Sequence, residues 1–326
     1  MRAFVCDALS DDLSGTGVRE VALPEPAEGQ VRLRVKAASV NFPDILLCQG
    51  KYQLKLKPPF TPGMDMSGIV DAIGEGVCGF SIGDEVVGGA RFGGFADYAL
   101  VPAAGLQAKP ENMSFAEAAA YPAAYLTAYV ALVRRANLQK GETLLVHGAT
   151  GGVGLAAVDV AKLLGARVIA TSASDEKLDK VIAYGADYGL NVTQGFKERV
   201  KTLTGGRGAD VIFDPVGGDV FDESVRCIAF DGRLCVIGFT SGRIADLATN
   251  MALIKGFSLV GVRAGEYGRQ FPERGAENVQ AIWDWARAGK TRPHVCAEFS
   301  LDQTRRALAM LENRQVVGKV IIRPDL

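Results

Sequence analysis

The sequence predicts an α/β protein built from a doubly wound parallel sheet covered by helices and a smaller, barrel-like β-rich unit. Three observations carry this. From Glu142 to Val262 short apolar strands alternate with helical segments, the pattern of parallel strand–helix repeats. Before Glu142, short strands succeed one another at close spacing with glycine turns between them. A glycine-rich loop, Gly148-Ala149-Thr150-Gly151-Gly152-Val153-Gly154, joins the first strand of the alternating region to its first helix. With 326 residues the chain is long enough for about two domains.

The elements follow in order. Val31, Leu33 and Val35 alternate with Arg32, Arg34 and Lys36, the period of a strand with one wet face. Further apolar runs at Gly68–Ile73, Glu85–Val87 and Ala96–Val101 are punctuated by Gly74, Gly76, Gly79, Gly83 and Gly93-Gly94. A short helix is expected near Pro43, since Asn41 can cap it and proline suits a first turn. Ser114-Phe115-Ala116-Glu117 fits a capping box opening an alanine-rich helix that Pro122 should break. Tyr125–Ala136 resumes helical character, with Leu126, Val130 and Val133 on one face.

The alternating region begins with the strand Leu144–His147 and the helix Val153–Leu164. The strand Arg167–Thr171 and the helix Asp175–Tyr184 come next, the helix closed by Gly185. Tyr188–Val192, Asp210–Phe213, Leu234–Ile237 and Phe257–Val262 supply the remaining strands. In the tail, Asn278–Ala288 and Leu301–Asn313 read as helices, the second opened by a Ser300-x-x-Gln303 capping box. Val295–Phe299 and Val320–Ile322 read as strands, and there is no internal repeat.

Composition excludes several classes. A 48% hydrophobic content supports packed cores and argues against disorder. Lys and Arg (36) balance Asp and Glu (37), which argues against a general nucleic-acid binder. No apolar run reaches the ~18 residues of a membrane span, and the start of the chain does not read as a signal peptide. The six cysteines form no Cys-x-x-Cys pair, and there are only two histidines, His147 and His294. Buried thiols in a reducing cytoplasm account for the cysteines, and a His-based zinc site or triad has little to work with.

The glycine loop fits the dinucleotide pattern with alanine replacing the first glycine: Ala149-x-Gly151-x-x-Gly154. Gly151 lets backbone approach a pyrophosphate at the helix N-terminus, and Gly154 lets the helix pack on the sheet. Gly152 and Val153 lie in the same turn. The ribose-gripping acid of such sites falls ~20 residues on, where this chain has Ser172. A small neutral hydroxyl leaves room for a 2′-phosphate, and Lys177 follows near the start of the next helix. The sequence alone also allows Lys177 to be an ordinary solvated lysine beside Glu176.

Beyond the loop, the chain carries Ala38-Ser39-Val40-Asn41-Phe42-Pro43-Asp44, Gly50-Lys51-Tyr52, Pro62-Gly63-Met64-Asp65 and Tyr125-Leu126-Thr127-Ala128-Tyr129. It ends with Phe213-Asp214-Pro215-Val216-Gly217-Gly218-Asp219, Gly238-Phe239 and Gly318-Lys319-Val320. In these motifs, and in their order, it resembles the zinc-independent medium-chain dehydrogenases/reductases, especially the NADPH:quinone oxidoreductases, over essentially its whole length. The resemblance implies a GroES-like catalytic domain begun by residues 1–124, a Rossmann NADPH-binding domain at 125–262, and a return segment, 263–326, that completes the first domain. It implies an active site in the cleft between domains.

The zinc relatives place a histidine ligand where this chain has Met64 and a cysteine ligand where it reads Asn41-Phe42-Pro43-Asp44. A thioether is a poor zinc partner, so the expectation is metal-free chemistry. The implied activity is hydride transfer from NADPH to a quinone or an α,β-unsaturated carbonyl, in a cytoplasmic homodimer. By resemblance Asn41 and Thr127 face the nicotinamide, Val216 and Gly217 lie by the adenosine, and Gly238 and Phe239 lie nearer the nicotinamide. Tyr52 either bonds the acceptor oxygen or packs with its hydroxyl at the surface, and Asp44 is either a site residue or a first-turn helix carboxylate. His147 reads as a satisfied near-core histidine. Two departures bear on specificity: Val192 stands where some relatives have a tyrosine near the 2′-phosphate, and Phe239 where many have a small polar residue. An enoyl- or acryloyl-thioester reductase and a non-catalytic, crystallin-like NADPH-binding protein are the competing readings.

Overall fold

The structure, a computed structural model, describes residues 1–326. It begins with β1 (Arg2–Cys6), β2 (Thr16–Glu20), β3 (Gln30–Ser39), α1 (Phe42–Cys48), β4 (Asp65–Ile73), β5 (Glu85–Gly89), β6 (Tyr98–Pro102), β7 (Gln107–Ala108) and α2 (Phe115–Ala120). After α3 (Pro122–Tyr129) come β8 (Thr143–Val146), α4 (Gly152–Leu163), β9 (Arg167–Ser172), α5 (Asp175–Tyr184), β10 (Tyr188–Asn191), α6 (Lys197–Leu203), β11 (Ala209–Asp214) and α7 (Gly218–Ser224). The chain continues through β12 (Ile228–Val236), α8 (Thr249–Lys255), β13 (Ser258–Gly261), α9 (Ala264–Gln270) and α10 (Pro272–Arg287). It closes with β14 (Val295–Ser300), α11 (Thr304–Glu312) and β15 (Lys319–Arg323).

Two compact units result: residues 1–122 with 293–326, and residues 123–292. The first holds a mixed sheet in the order β14-β15-β3-β4-β5-β7, with β6 also paired to β3, and a separate β1–β2 ribbon. Its long central strand, β3, buries Val31, Leu33 and Val35, as the alternating pattern requires. The second unit holds a wholly parallel sheet in the order β10-β9-β8-β11-β12-β13. Strand order reverses between β8 and β11, the switch point at which such sheets leave a crevice at their carboxyl ends. Every residue of β8 is buried, as a central strand covered on both faces must be. Thus the α/β class with a Rossmann-type sheet and a separate β-rich domain holds.

Local signals behave as their chemistry dictates, with some differences. The Ser114 capping box forms, and Pro122 ends one helix and starts the next. The helix from Tyr125 does not run on as one α-helix, because Val130–Arg135 widens to a π-helix. The units divide at 292/293, whereas the sequence puts the return crossing at 262/263. The intervening stretch is held to the second unit by polar and aromatic contacts. Arg134 bonds Asn278 at 2.7 Å and Glu277 at 2.6 Å, and Tyr129 packs against Trp285 at 5.3 Å. No helix is long and apolar enough to cross a membrane.

Candidate functional site

In the parallel-sheet unit the glycine loop leaves β8 and enters α4 at the switch point. A Cβ on Gly154 would lie 2.3 Å from the Gly148 carbonyl oxygen and 2.7 Å from the Ala149 Cα. Only glycine lets the helix approach the loop so closely. At Gly151 a Cβ would meet nothing nearer than the Gly148 oxygen at 3.4 Å, so the space over this residue is open to a ligand. Gly151 is the N-cap of the twelve-residue α4, and no side chain caps it. The first-turn N–H groups, including those of Gly152 and Val153, therefore have no side-chain cap and offer an anion site. The residues fit a dinucleotide pyrophosphate.

Around this loop the structure gathers the other expected nucleotide residues. Val216 follows β11, and a Cβ on Gly148 would touch its Cγ2 at 3.3 Å, so the two strand-end turns abut. Asp214 shapes the second turn, its Oδ1 accepting from Val216 N (2.8 Å) and Gly217 N (2.9 Å). Those two N–H groups are thereby committed to the protein. Burial pushes the Asp214 carboxyl up in pKa, against these two donors. Gly238 and Phe239 follow β12 on the other side of β11, and Phe239 is 43% exposed. Ser172 ends β9, pairs in register with Asn191 of β10, and so lies beside Val192. Lys177, half-buried, sits in the first turn of α5, capped by the Ser174 hydroxyl.

Two buried polar clusters brace this unit. His147 is fully buried, with Nδ1 2.9 Å from Thr171 Oγ1 and Nε2 2.7 Å from Ser224 Oγ. Each hydroxyl also reaches a carbonyl, Ser224 Oγ that of Val220 at 2.6 Å and Thr171 Oγ1 that of Val146 at 3.3 Å; the shorter bond commits the Ser224 hydrogen, so a neutral ring donates Nε2–H to Ser224 and accepts at Nδ1 from Thr171. Burial holds this histidine neutral, its pKa pushed down to about 3. The second cluster anchors α3, the helix that carries Thr127. Tyr125 Oη donates to Asp159 Oδ2 at 2.7 Å and lies 3.2 Å from Tyr184 Oη, which in turn bonds the Arg292 carbonyl. Thr127 itself is half-buried.

The mixed-sheet unit brings Asn41 into a buried charged network where β3, β4 and β15 end. Asn41 stands at the N-cap position of α1 in a capping-box arrangement with Asp44, as expected, but its side chain makes no full cap hydrogen bond, the Asp44 N–H donating to the Asn41 backbone carbonyl at 3.0 Å. Its Nδ2 donates to Asp65 Oδ2 (2.9 Å) and more weakly to the Ser39 carbonyl (3.3 Å), while its Oδ1 accepts from Lys319 Nζ (2.6 Å). Lys319 also donates to the Val40 carbonyl at 3.3 Å. Asp44 does the work of a first-turn helix carboxylate, taking Asn41 N (2.8 Å) and Gly63 N (3.0 Å). It is fully buried, and desolvation pushes its pKa up to about 7. Burial lowers the Lys319 pKa, opposed by the carboxylates of Asp65 and Asp44.

Tyr52 lies near this network in sequence and packs, half-buried, against the core of the same unit. Its hydroxyl makes no hydrogen bond within the unit. No three His, Cys, Asp or Glu side chains are grouped so as to hold a metal ion. Lys319, Asp65 and Asp214 stand in the quoted motifs, but the motif reading gave them no role. Their signal was a charged residue heading or closing an apolar strand, as in Lys319-Val320-Ile321-Ile322.

Comparison with known proteins agrees with this fold. Residues 27–111 match the family described as alcohol dehydrogenase GroES-like domain, and residues 152–281 the family described as zinc-binding dehydrogenase. Quinone oxidoreductase-like protein 2 of Bos taurus is 39% identical over 324 residues, covering 98% of this chain and 92% of that protein. The quinone oxidoreductase of Escherichia coli, solved in complex with NADPH, superposes with a TM-score of 0.92 at 27% identity, over 99% of this chain and 100% of that one. A structure described as an NAD-dependent alcohol dehydrogenase superposes with a TM-score of 0.90 at 35% identity, over 99% of each chain.

Proposed function

The chain belongs to the quinone oxidoreductase family of the medium-chain dehydrogenases/reductases, and from that premise we propose that it reduces a quinone or an α,β-unsaturated carbonyl at the expense of NADPH. The observation that carries the reading is the open space over Gly151 at the uncapped start of α4, placed at the switch point of the sheet. When bound, the reduced nicotinamide supplies the hydride.

In this reading Gly151, Gly152 and Val153 hold the pyrophosphate, and Val216, Gly217, Gly238 and Phe239 line the cofactor. Ser172 and Lys177 receive the 2′-phosphate, since a hydroxyl and an ammonium tolerate or attract the charge that an aspartate would repel. Asn41 and Thr127 orient the nicotinamide, and the Tyr52 hydroxyl, free of protein partners, donates to the acceptor oxygen. Acceptor reduction is favoured over alcohol oxidation by the residue types at the zinc relatives' ligand positions. Met64 and the stretch Asn41-Phe42-Pro43-Asp44 supply neither imidazole nor thiolate, so these positions lack the usual donors for a Lewis acid that would lower an alcohol's pKa.

We further propose a homodimer formed through β13. This strand is the edge of the parallel sheet and pairs only with β12. Around it Leu259 is 47% exposed, Leu253 82%, Ile254 70% and Phe230 81%, an unpaired apolar edge that a second copy would cover. A cytoplasmic location suits six cysteines that form no disulfide.

The test is steady-state oxidation of NADPH and NADH by the purified protein against quinones, enones and enoyl thioesters. Turnover with quinones or enones is expected. NADPH binding without reduction of any acceptor would make the chain a nucleotide-binding protein, and preference for enoyl thioesters would make it the corresponding reductase.

A further inference from the structure

We propose that Lys319 is a positioning residue that fixes the Asn41 amide in one orientation, so that Asn41 meets its ligand only as a hydrogen-bond acceptor. The inference rests on the reading of Asn41 as a residue that faces the nicotinamide. It begins with the capacity of an asparagine side chain, two N–H donors on Nδ2 and two lone pairs on Oδ1. Asp65 at 2.9 Å and the Ser39 carbonyl at 3.3 Å take both donors, and Lys319 at 2.6 Å takes one lone pair. The nearby Asp44 N–H faces this side chain in the capping box but donates to the Asn41 backbone carbonyl at 3.0 Å, so one acceptor site remains.

Charge enforces this orientation. Turning the amide over would point Nδ2 at an ammonium and Oδ1 at a carboxylate, replacing two charge-assisted hydrogen bonds with two repulsions. Lys319 is 5% exposed and Asp65 7%, so water does not screen either contact well. The arrangement is set by distant parts of the chain: Ser39 pairs with Asp65 across β3 and β4, and with Ile321 across β3 and β15.

The consequence divides the labour among the site residues. A ligand group that meets Asn41 must be a donor, such as the carboxamide N–H of the nicotinamide or the hydroxyl of a reduced acceptor. A carbonyl oxygen cannot be its partner. The donor to the acceptor's carbonyl then has to be another residue, the role proposed above for Tyr52.

Two variants separate positioning from simple charge balance. Lys319→Met removes the ammonium, and Lys319→Met/Asp65→Asn removes both members of the pair and keeps the buried charge even. In the double variant a neutral amide at position 65 can donate or accept, so only the weaker contact with the Ser39 carbonyl at 3.3 Å distinguishes the two ends of the Asn41 amide. We measure the NADPH dissociation constant by fluorescence titration and the exchange of the Asn41 side-chain amide protons by NMR. In the wild type those protons should exchange at least about tenfold more slowly than in a free amide, and both variants should lose this protection. The dissociation constant should rise about tenfold in both, the worth of one lost hydrogen bond. If the single variant does not fold, the charge-balanced one carries the test. Wild-type affinity and protection in the double variant would reduce Lys319 to a counter-ion and overturn the proposal. If the wild type does not bind NADPH, the cofactor reading falls, while the amide exchange still reports whether Lys319 holds Asn41.

Discussion

Gly151 and Gly154 of the loop should fail in opposite ways when each is replaced by alanine. Gly154→Ala places a Cβ 2.3 Å from the Gly148 carbonyl oxygen and 2.7 Å from the Ala149 Cα. Both obstacles are backbone, so the loop or the helix has to move. Overpacking of this kind costs about 2–3 kcal/mol, which in a unit of this size lowers Tm by about 4–12 °C. Gly151→Ala meets only an ordinary contact at 3.4 Å, and its φ of −76° with ψ of 164° suits any residue. Alanine caps a helix less well than glycine but loses less chain entropy on folding, and these terms roughly cancel to within about 1 kcal/mol. The new methyl group nevertheless stands in the space assigned to the pyrophosphate. We expect the NADPH dissociation constant of Gly151→Ala to rise at least about tenfold with Tm nearly unchanged. Calorimetry and fluorescence titration on the same preparations read the two effects. Unchanged NADPH affinity in Gly151→Ala, or a Gly154→Ala protein as stable as the wild type, would refute the division between a ligand glycine and a packing glycine.

Four further outcomes are expected. Because His147 is held neutral down to about pH 3, only the unfolded chain takes up its proton below about 6.5, and stability falls as the pH drops between these values. Between pH 7 and 5 the wild type should lose about 2 kcal/mol more than His147→Gln in urea unfolding, and equal losses would count against it. NADPH should be preferred to NADH by about tenfold to a hundredfold, a ratio that Lys177→Glu lowers and Ser172→Asp lowers further; two wild-type cofactors of equal efficiency would contradict this. Tyr52→Phe should cut quinone and enone turnover while leaving Tm unchanged, since its hydroxyl holds nothing in the fold, and full activity would remove it from the chemistry. Leu259→Lys should shift the protein from dimer to monomer by light scattering at micromolar concentration, unless the wild type is already monomeric.

How much of this was legible in the sequence depends on the range of the interaction. The Ser114 capping box, the break at Pro122 and the period of Val31, Leu33 and Val35 are set by neighbours a few residues apart, and the structure contains all three. The glycine loop was legible because its steric demand at Gly154 is made by Gly148 and Ala149, within the same turn. The end of the parallel-sheet unit was not. Residues 263–292 form helices of ordinary amphipathic pattern, and what ties them to that unit is long-range contact: Arg134 and Tyr129 with α10, and Tyr184 and Asp159 with Arg292. Periodicity says which face of a helix is buried but not which sheet buries it.

The network around Asn41 shows where local reading stops in the candidate site. From the sequence, asparagine before Phe42-Pro43 is a helix cap, and the short-range rule is sound as far as it goes. In the fold, the Asp44 carboxylate takes the backbone N–H of Asn41 at 2.8 Å, and the Asn41 side chain turns instead to Lys319 and Asp65. A neutral capping bond contributes about 1 kcal/mol, whereas hydrogen bonds to two buried charges contribute about 1.5–3 kcal/mol each, so the longer-range partners win. Those partners sit 24 and 278 residues away and meet Asn41 only through the pairing of β3 with β4 and with β15. A lysine at the head of the apolar run Val320-Ile321-Ile322 looks from the sequence like a strand terminus in water. Its burial at 5% exposure is a property of the assembled sheet, and so is the orientation of the amide it holds.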